Sequence, residues 1–141
     1  ASAFNYDIMC SGEDRLLQFI DDYTDRYNTL SKKEQDTYKD MRIVREMYAR
    51  GFGFHKVDIY SADAHRFKII DGKLMPPLDS IDGLGDKAAD AVVAAAAEGQ
   101  FISQEDFRSR TKVSKTVVEY LVKTGILSDL PESDQLSLWD F

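Results

Sequence analysis

Hydrophobic positions recur every three or four residues along much of the chain, which is the period of an amphipathic helix. A first helical stretch follows residues 11–14 (SGED), and Ser11 is expected to be its N-cap. A second begins at residues 31–34 (SKKE), whose Ser and Glu have the spacing of a capping box, and Gly51 is expected to end it. The tyrosines and methionines on these stretches are predicted to pack in a core between the two helices.

Residues 52–75 change to strand-like patterning. Segments 57–60 (VDIY) and 66–70 (RFKII) are short and rich in β-forming residues, and Asp71-Gly72 has the composition of a two-residue hairpin turn. Pro76-Pro77 follows and is predicted to mark a domain boundary. The predicted fold class is therefore mainly α with a small β-hairpin.

Short helices with tight joints are predicted beyond this boundary. An Ala-rich helix covers residues 85–98 and ends at Gly99. A shorter helix is capped by Ser103, and a third starts at Ser114 or Thr116 and ends at Gly125. The last residues, 128–141, are acidic and are predicted to form an extended or disordered tail.

Two glycines bracket Leu84 directly before the Ala-rich helix. Gly83 and Gly85 allow a tight turn and a close approach of the backbone to another molecule. The open N–H groups of the helix start suit a phosphate oxygen, and Lys87 adds a positive charge there. From the pattern alone, a turn that serves only helix packing is an equally good interpretation.

A second joint with the same layout follows about 28 residues later, at residues 111–115 (TKVSK). It carries a basic cluster without an acid, and two such joints indicate a tandem helix-hairpin-helix unit that could hold two backbone phosphates of a duplex. The predicted DNA-binding residues are Gly83, Leu84, Gly85, Asp86, Lys87, Ala88, Arg108, Arg110, Lys112, Val113, Ser114 and Lys115.

Composition narrows the function classes. The 141 residues carry 25 acidic and 18 basic side chains, so the net charge of −7 argues against polyanion binding by the whole surface but permits a local basic patch. A single cysteine, Cys10, rules out an internal disulfide and any four-Cys zinc or iron–sulfur site. His55 and His65 lack metal-ligand spacing, so a structural role is expected for each, and no catalytic or metal site is predicted.

Apolar residues also crowd the otherwise acidic C-terminus. Exposed apolar residues are typical of interaction sites, so these are predicted to form a linear peptide that binds a hydrophobic groove of a partner. The alternative is that they fold back onto the domain. The residues of this predicted peptide are Gln135, Leu136, Ser137, Leu138, Trp139 and Phe141.

Four stretches in this order and spacing resemble the C-terminal end of PolC-type DNA polymerase III α subunits of Gram-positive bacteria. They are MYARGFGFHKVDIYSADAHRF (47–67), LMPPLDSIDGLGDKAADAVV (74–93), EGQFISQEDFRSRTKVSKTVVEYL (98–121) and LPESDQLSLWDF (130–141).

The resemblance implies three parts. Residues 1–75 would be the last part of the polymerase fingers, residues 76–127 a tandem helix-hairpin-helix domain for duplex DNA, and residues 128–141 a tail that binds the β sliding clamp. The catalytic residues of the family, and the magnesium the full polymerase uses, would lie outside this chain, which would work in the cytoplasm at the replisome beside the rest of the polymerase.

Two other functions remain open from the sequence. The net charge of −7 favours an adapter that binds only protein, namely the clamp. The segment around Lys87 is also similar to the hairpin of base-excision glycosylases with a catalytic lysine, for which Glu105 or Asp106 could supply the downstream acid.

Overall fold

The computed structural model describes residues 3–133 of the chain. Those residues form six α-helices and one two-stranded sheet, which confirms the predicted fold class. In chain order the elements are α1 (Tyr6–Met9), α2 (Glu13–Asp25), α3 (Lys32–Ala49), β1 (Lys68–Ile70), β2 (Lys73–Met75), α4 (Asp86–Glu98), α5 (Gln104–Thr111) and α6 (Lys115–Lys123). Within the described part of the chain, no helix combines the length and apolarity that crossing a bilayer requires.

Helices α2 and α3 pack on each other around a small core. Leu16, Ile20 and Tyr23 of α2 and Met41 and Val44 of α3 are all buried there, which confirms the predicted packing for Tyr23 and Met41. The prediction is wrong for Tyr27, which lies beyond the end of α2 and is 44% exposed. Burial of an aliphatic side chain stabilises the fold by about 2 kcal/mol. This core holds the N-terminal helices together as a layer of their own.

The starts of these two helices differ. At α3 the predicted capping box is present: the Ser31 hydroxyl accepts from the Glu34 N–H over 3.1 Å, and the Glu34 carboxylate accepts from the Ser31 N–H over 3.0 Å. At α2 the prediction of Ser11 as N-cap is wrong. Gly12 holds that position with a φ of 101°, which only glycine adopts without strain, and no side chain caps the helix.

The β-hairpin forms where Asp71-Gly72 predicts it. Both turn residues have positive φ, 53° and 77°, as a two-residue hairpin turn requires, and Ile69 pairs with Leu74 across the strands. The predicted strand at residues 57–60 is absent. The Asp58 carboxylate instead accepts from the N–H of Tyr60, which bends the chain into a turn.

The larger core takes side chains from both sides of Pro76-Pro77. Tyr6 and Val57 precede the prolines, Leu84 and Phe107 follow them, and all four belong to one buried cluster. The helix-hairpin-helix region therefore shares its core with the N-terminal part of the chain. The division at residue 76 and the relation of residues 1–75 to polymerase fingers stay predictions.

The chain after α6 returns to the start of α5. The side-chain amide of Gln104 donates to the carbonyl of Leu130 over 3.0 Å, and the backbone N–H of Gln104 donates to that of Pro131 over 2.7 Å. These bonds attach residues 130 and 131 to the domain. The predicted clamp-binding peptide, from Gln135 to Phe141, lies outside the described residues.

Candidate nucleic-acid interface

The first hairpin joins the short 3-10 helix Leu78–Ser80 to α4. Gly83 has a φ of 89°, in the left-handed region that favours glycine. A Cβ at this position would overlap the Cγ2 methyl group of Val117 on α6. Leu84 is buried, and its N–H donates to the carbonyl of Ile81 over 3.0 Å. The Gly-Leu-Gly sequence therefore forms a tight turn that packs against α6.

The second hairpin joins α5 to α6 and repeats this backbone without a glycine. Lys112 has a φ of 60°, in the place that Gly83 holds in the first hairpin. Val113 is buried, as the leucine of the first hairpin is. Ser114 is the N-cap of α6, and its hydroxyl accepts from the N–H of Val117 over 3.3 Å. The prediction of two joints with the same layout is confirmed.

The N-terminus of α4 is open. Its N-cap is Gly85, which has no side chain to offer, and the first N–H to find an intrahelical acceptor is that of Ala89, 2.9 Å from the Gly85 carbonyl. The N–H groups of residues 86–88 have no acceptor among the described residues. A Cβ at Gly85 would meet no atom within 4 Å. A phosphate oxygen can therefore approach these N–H groups directly.

The starts of α5 and α6, the other two helices that follow Pro76-Pro77, differ from each other. At α5, the carbonyl groups of Pro131 and Glu132 accept from the first two N–H groups, over 2.7 and 3.1 Å, and the Ser103 hydroxyl accepts from the third over 2.9 Å. At α6, Ser114 caps the third N–H, and those of residues 115 and 116 have no acceptor in the described chain. Of α4, α5 and α6, the two helices that follow a hairpin therefore have open starts. The start of α2 is also uncapped, but Glu13 and Asp14 place negative charge in its first turn.

Free cations accompany both open helix starts. Arg108, Lys112 and Lys115 around the second hairpin are exposed, and their side chains form no hydrogen bond or ion pair with any described residue. Lys87, in the first turn of α4, is equally exposed and unpaired within that range. Unpaired Lys and Arg side chains beside open N–H groups form a site for anions spaced along a chain.

The structure gives Arg110 a different task from the predicted phosphate contact. Its guanidinium donates to the carbonyls of Ala95, Gly99 and Gln100, over 2.6, 3.0 and 3.1 Å, at the C-terminal end of α4. It also pairs with Asp106 over 3.3 Å, while its side chain is only 24% exposed. Arg110 therefore caps α4, and we leave it out of the proposed interface.

The acidic residues that flank the first hairpin are held by groups outside it. The side-chain amide of Asn5 donates to both carboxylate oxygens of Asp82, over 3.1 Å each. Nothing in the sequence pointed to Asn5, because a contact across 77 positions has no local signal. The N-terminal segment thus covers part of the negative charge beside the hairpin.

His65 belongs to an ion-pair cluster on the other side of this hairpin. Its Nδ1 lies 2.9 Å from Asp79 and 3.8 Å from Asp86, and its Nε2 lies 2.8 Å from Asp90. Hydrogen bonds first to Asp79 and then to Asp90 raise the pKa of His65 above its ordinary value of 6.5. These bonds hold His65 between the two elements that flank the hairpin, and its carboxylate partners were not foreseen from the sequence.

Among the described residues, one group of three side chains has a spacing suited to a metal: His65, Asp79 and Asp86. Both ring nitrogens of His65 are already within 3 Å of a carboxylate oxygen. The arrangement is therefore that of an ion-pair cluster, and we assign no metal to it.

The candidates for covalent chemistry lack the required surroundings. Burial raises the pKa of the Cys10 thiol, which disfavours the thiolate nucleophile. Asp106, the possible acid partner of Lys87 in a glycosylase, accepts from the N–H of Ile102 over 3.1 Å and pairs with Arg110. These bonds give Asp106 a structural role at the start of α5.

Two pairs of consecutive helices, each joined by a turn with one left-handed residue and one buried apolar residue, define a tandem helix-hairpin-helix module. A family model described as "Helix-hairpin-helix motif" matches residues 51–136, which is more than half of the chain. The chain belongs to this helix-hairpin-helix family.

The chain is also similar over 139 residues to proteins named DNA polymerase III PolC-type. It is 44% identical to that of Caldanaerobacter subterraneus subsp. tengcongensis, 42% to that of Clostridium perfringens and 40% to that of Bacillus subtilis. Each alignment covers 99% of this chain and 10% of the relative. The chain thus spans about a tenth of the length of these curated relatives, and the resemblance to PolC-type polymerases is confirmed.

Proposed function

We propose that this chain is a non-catalytic region of a bacterial replicative DNA polymerase that binds the sugar-phosphate backbone of duplex DNA. The observation that carries the proposal is the pair of hairpins, each leading into a helix with an open N-terminus beside an unpaired lysine. Hydrogen-bond donors and positive charge are what a phosphate needs. A module with two such sites can hold two phosphates at once.

Binding through this surface is expected to be independent of base sequence. The groups it offers are backbone N–H groups of residues 86–88 and 115–116, together with the cations Lys87, Lys112 and Lys115. Contacts to phosphates position a protein on DNA but carry no sequence information. Release of counterions makes such binding weaker as salt rises.

The proposed second partner is the sliding clamp, through Gln135 to Phe141. Its support is the sequence alone: Gln, two Leu, Trp and Phe end an acidic segment. Two contacts on one chain raise each other's effective concentration, so a clamp contact would keep the hairpins near DNA. We expect no nucleotide incorporation by this chain, because its relatives extend well beyond the aligned tenth.

A titration of fluorescent duplex DNA with the chain tests the DNA proposal. Binding should weaken as salt rises, and the variant Lys112→Glu/Lys115→Glu should bind at least tenfold more weakly, because two phosphate contacts are replaced by repulsion. The matched control is Lys33→Glu/Lys73→Glu, which changes the net charge equally at two exposed lysines of α3 and β2, outside both proposed phosphate sites. An equal loss in both variants would show that only net charge matters and would contradict the proposed site.

The titration also separates the adapter alternative. A chain that binds only protein would show no duplex binding at any salt concentration while it still bound the clamp. The net charge of −7 favours that outcome, whereas the unpaired cations of the second hairpin oppose it.

A further inference from the structure

We propose that His65 tunes the phosphate affinity of the first hairpin by supplying a positive charge beside Asp86, the first residue of α4. The inference rests on the proposed function, since it concerns the strength of the same phosphate contact. The first hairpin then binds duplex DNA more tightly when the imidazole is protonated than when it is neutral.

The position of His65 is fixed by backbone as well as by charge. Its N–H donates to the Asp63 carboxylate over 3.0 Å, and the neighbouring Ala64 carbonyl accepts from the N–H of Asp79 over 3.1 Å. The imidazole therefore bridges the two elements that flank the hairpin, the 3-10 helix with Asp79 and α4 with Asp90. A change in its charge acts next to the open end of α4.

The charges around the imidazole are mostly negative. Three carboxylates face it, those of Asp79 on the 3-10 helix and of Asp86 and Asp90 on α4. The loop and strand on its own side add three charged groups, Asp63, Arg66 and Lys68. With a neutral imidazole, Lys87 is the one cation of α4 that offsets these carboxylates for a phosphate approaching residues 86–88. With an imidazolium, a second positive charge offsets them.

The sign of the coupling follows from linkage. A phosphate held near the imidazolium favours the protonated form, so DNA binding must raise the pKa of His65, and protonation must strengthen DNA binding by the same factor. The carboxylates of Asp79 and Asp90 already hold the pKa of His65 above its ordinary value of 6.5. A purely structural His65 would alter stability without this coupling.

His55 provides an internal control. It is the other histidine of the chain, and its Nδ1 lies 2.6 Å from the carbonyl of Lys56 rather than beside a carboxylate. The variants His65→Gln and His55→Gln each remove one imidazole and keep a hydrogen-bonding side chain. Only the first should change the pH dependence of DNA binding.

The experiment measures duplex affinity at one pH below and one pH above the imidazole transition, as located by NMR titration, for the wild type and both variants. For the wild type and His55→Gln we expect about threefold weaker binding at the higher pH, which is the magnitude of an exposed ion pair. For His65→Gln we expect the affinities at the two pH values to differ by less than about 1.5-fold. NMR titration should show that added duplex raises the pKa of His65. The signals of His55 should show no such change.

Asp86→Asn is the second variant. Asp86 is 75% exposed, so its replacement leaves the bonds of His65 to Asp79 and Asp90 in place. It should bind duplex more tightly than the wild type at the higher pH, with a smaller pH dependence, since an exposed charge contributes a factor of a few.

The outcomes separate the two proposals. Duplex binding with the same pH dependence in the wild type and His65→Gln, or a His65 pKa that duplex leaves unchanged, overturns the inference and leaves the proposed function standing. No duplex binding by the wild type at either pH overturns the proposed function, and this inference with it.

Discussion

Lys112 in the second hairpin adopts the left-handed backbone that Gly83 adopts in the first, with φ values of 60° and 89°. A non-glycine residue in this region costs about 1 kcal/mol relative to glycine. The second hairpin therefore accepts strain at the position where it also presents an exposed cation. The two hairpins share a backbone but differ in the charge they offer a phosphate: among the described residues, the first has one free cation, Lys87, and the second has three, Arg108, Lys112 and Lys115.

Replacing Lys112 by glycine should separate these roles. Lys112→Gly relieves the backbone strain, so the free energy of unfolding should stay equal or rise by up to about 1 kcal/mol. Duplex affinity should fall severalfold, because one phosphate contact is lost. Thermal unfolding and duplex titration measure the two effects. A large loss of stability in Lys112→Gly would mean that the side chain holds the turn.

The two glycines of the first hairpin should respond differently to substitution. Gly83→Ala puts a Cβ into Val117 at positive φ and should cost about 2–4 kcal/mol of stability. Gly85→Val should leave stability within about 1 kcal/mol, because the site is open and its φ of −71° suits any residue. It should nevertheless weaken duplex binding, since the side chain would stand in front of α4. Full duplex affinity in Gly85→Val would contradict the open N-terminus as a binding site.

Arg110 and Arg108 form a matched pair on α5. Arg110→Ala should lower the free energy of unfolding by about 2–3 kcal/mol, because three carbonyls at the end of α4 and Asp106 lose their partner. Arg108→Ala should be nearly neutral for stability and should weaken duplex binding. Denaturant unfolding and duplex titration of both variants check these expectations. If Arg110→Ala weakened duplex binding and left stability unchanged, Arg110 would be part of the interface.

Stability should also depend on the charge of His65. Its pKa is higher in the folded chain than the ordinary value of 6.5, so folding binds a proton near neutrality. The contribution is fully present below pH 6.5 and is lost as pH rises through the folded pKa. Denaturant unfolding across this range should show a decline in the wild type and His55→Gln that His65→Gln lacks. If the free energy of unfolding of His65→Gln declined by the same amount, a group other than His65 would be responsible for the pH dependence.

Deletion of residues 135–141 should abolish clamp binding and leave duplex affinity within about twofold, because the proposed contacts lie on different parts of the chain. Surface plasmon resonance on immobilised clamp and on duplex measures both. The Lys112→Glu/Lys115→Glu variant should show the converse pattern. Loss of both activities in either variant would contradict this division.

Local signals in the sequence predicted the elements well, and contacts between distant residues account for what was missed. The capping box at Ser31 and the turn at Asp71-Gly72 depend on neighbouring residues, and both are confirmed. The turn at Gly83-Leu-Gly85 could also be predicted, because it too depends on neighbouring residues. Arg110, by contrast, belongs by charge to the basic cluster, and only the fold brings it against the end of α4.

Two features of the candidate site had no sequence signal. The bonds of Asn5 to Asp82 and of His65 to Asp90 join residues 77 and 25 positions apart. The closed N-terminus of α5 likewise depends on carbonyls of residues 131 and 132. Those two carbonyls close the start of α5, whereas the first N–H groups of α4 and α6 have no acceptor among the described residues.

The most direct test of the account follows the backbone amides of the chain by NMR while short duplex DNA is added. The account predicts large, salt-sensitive shifts for the amides of residues 85–88 and 114–116 at the starts of α4 and α6. The amides of Gln104 and Glu105 at the start of α5 should stay unchanged, because backbone carbonyls already occupy them. Shifts confined to other surfaces, or equal shifts at all three helix starts, would contradict a duplex-binding site built from the two hairpins.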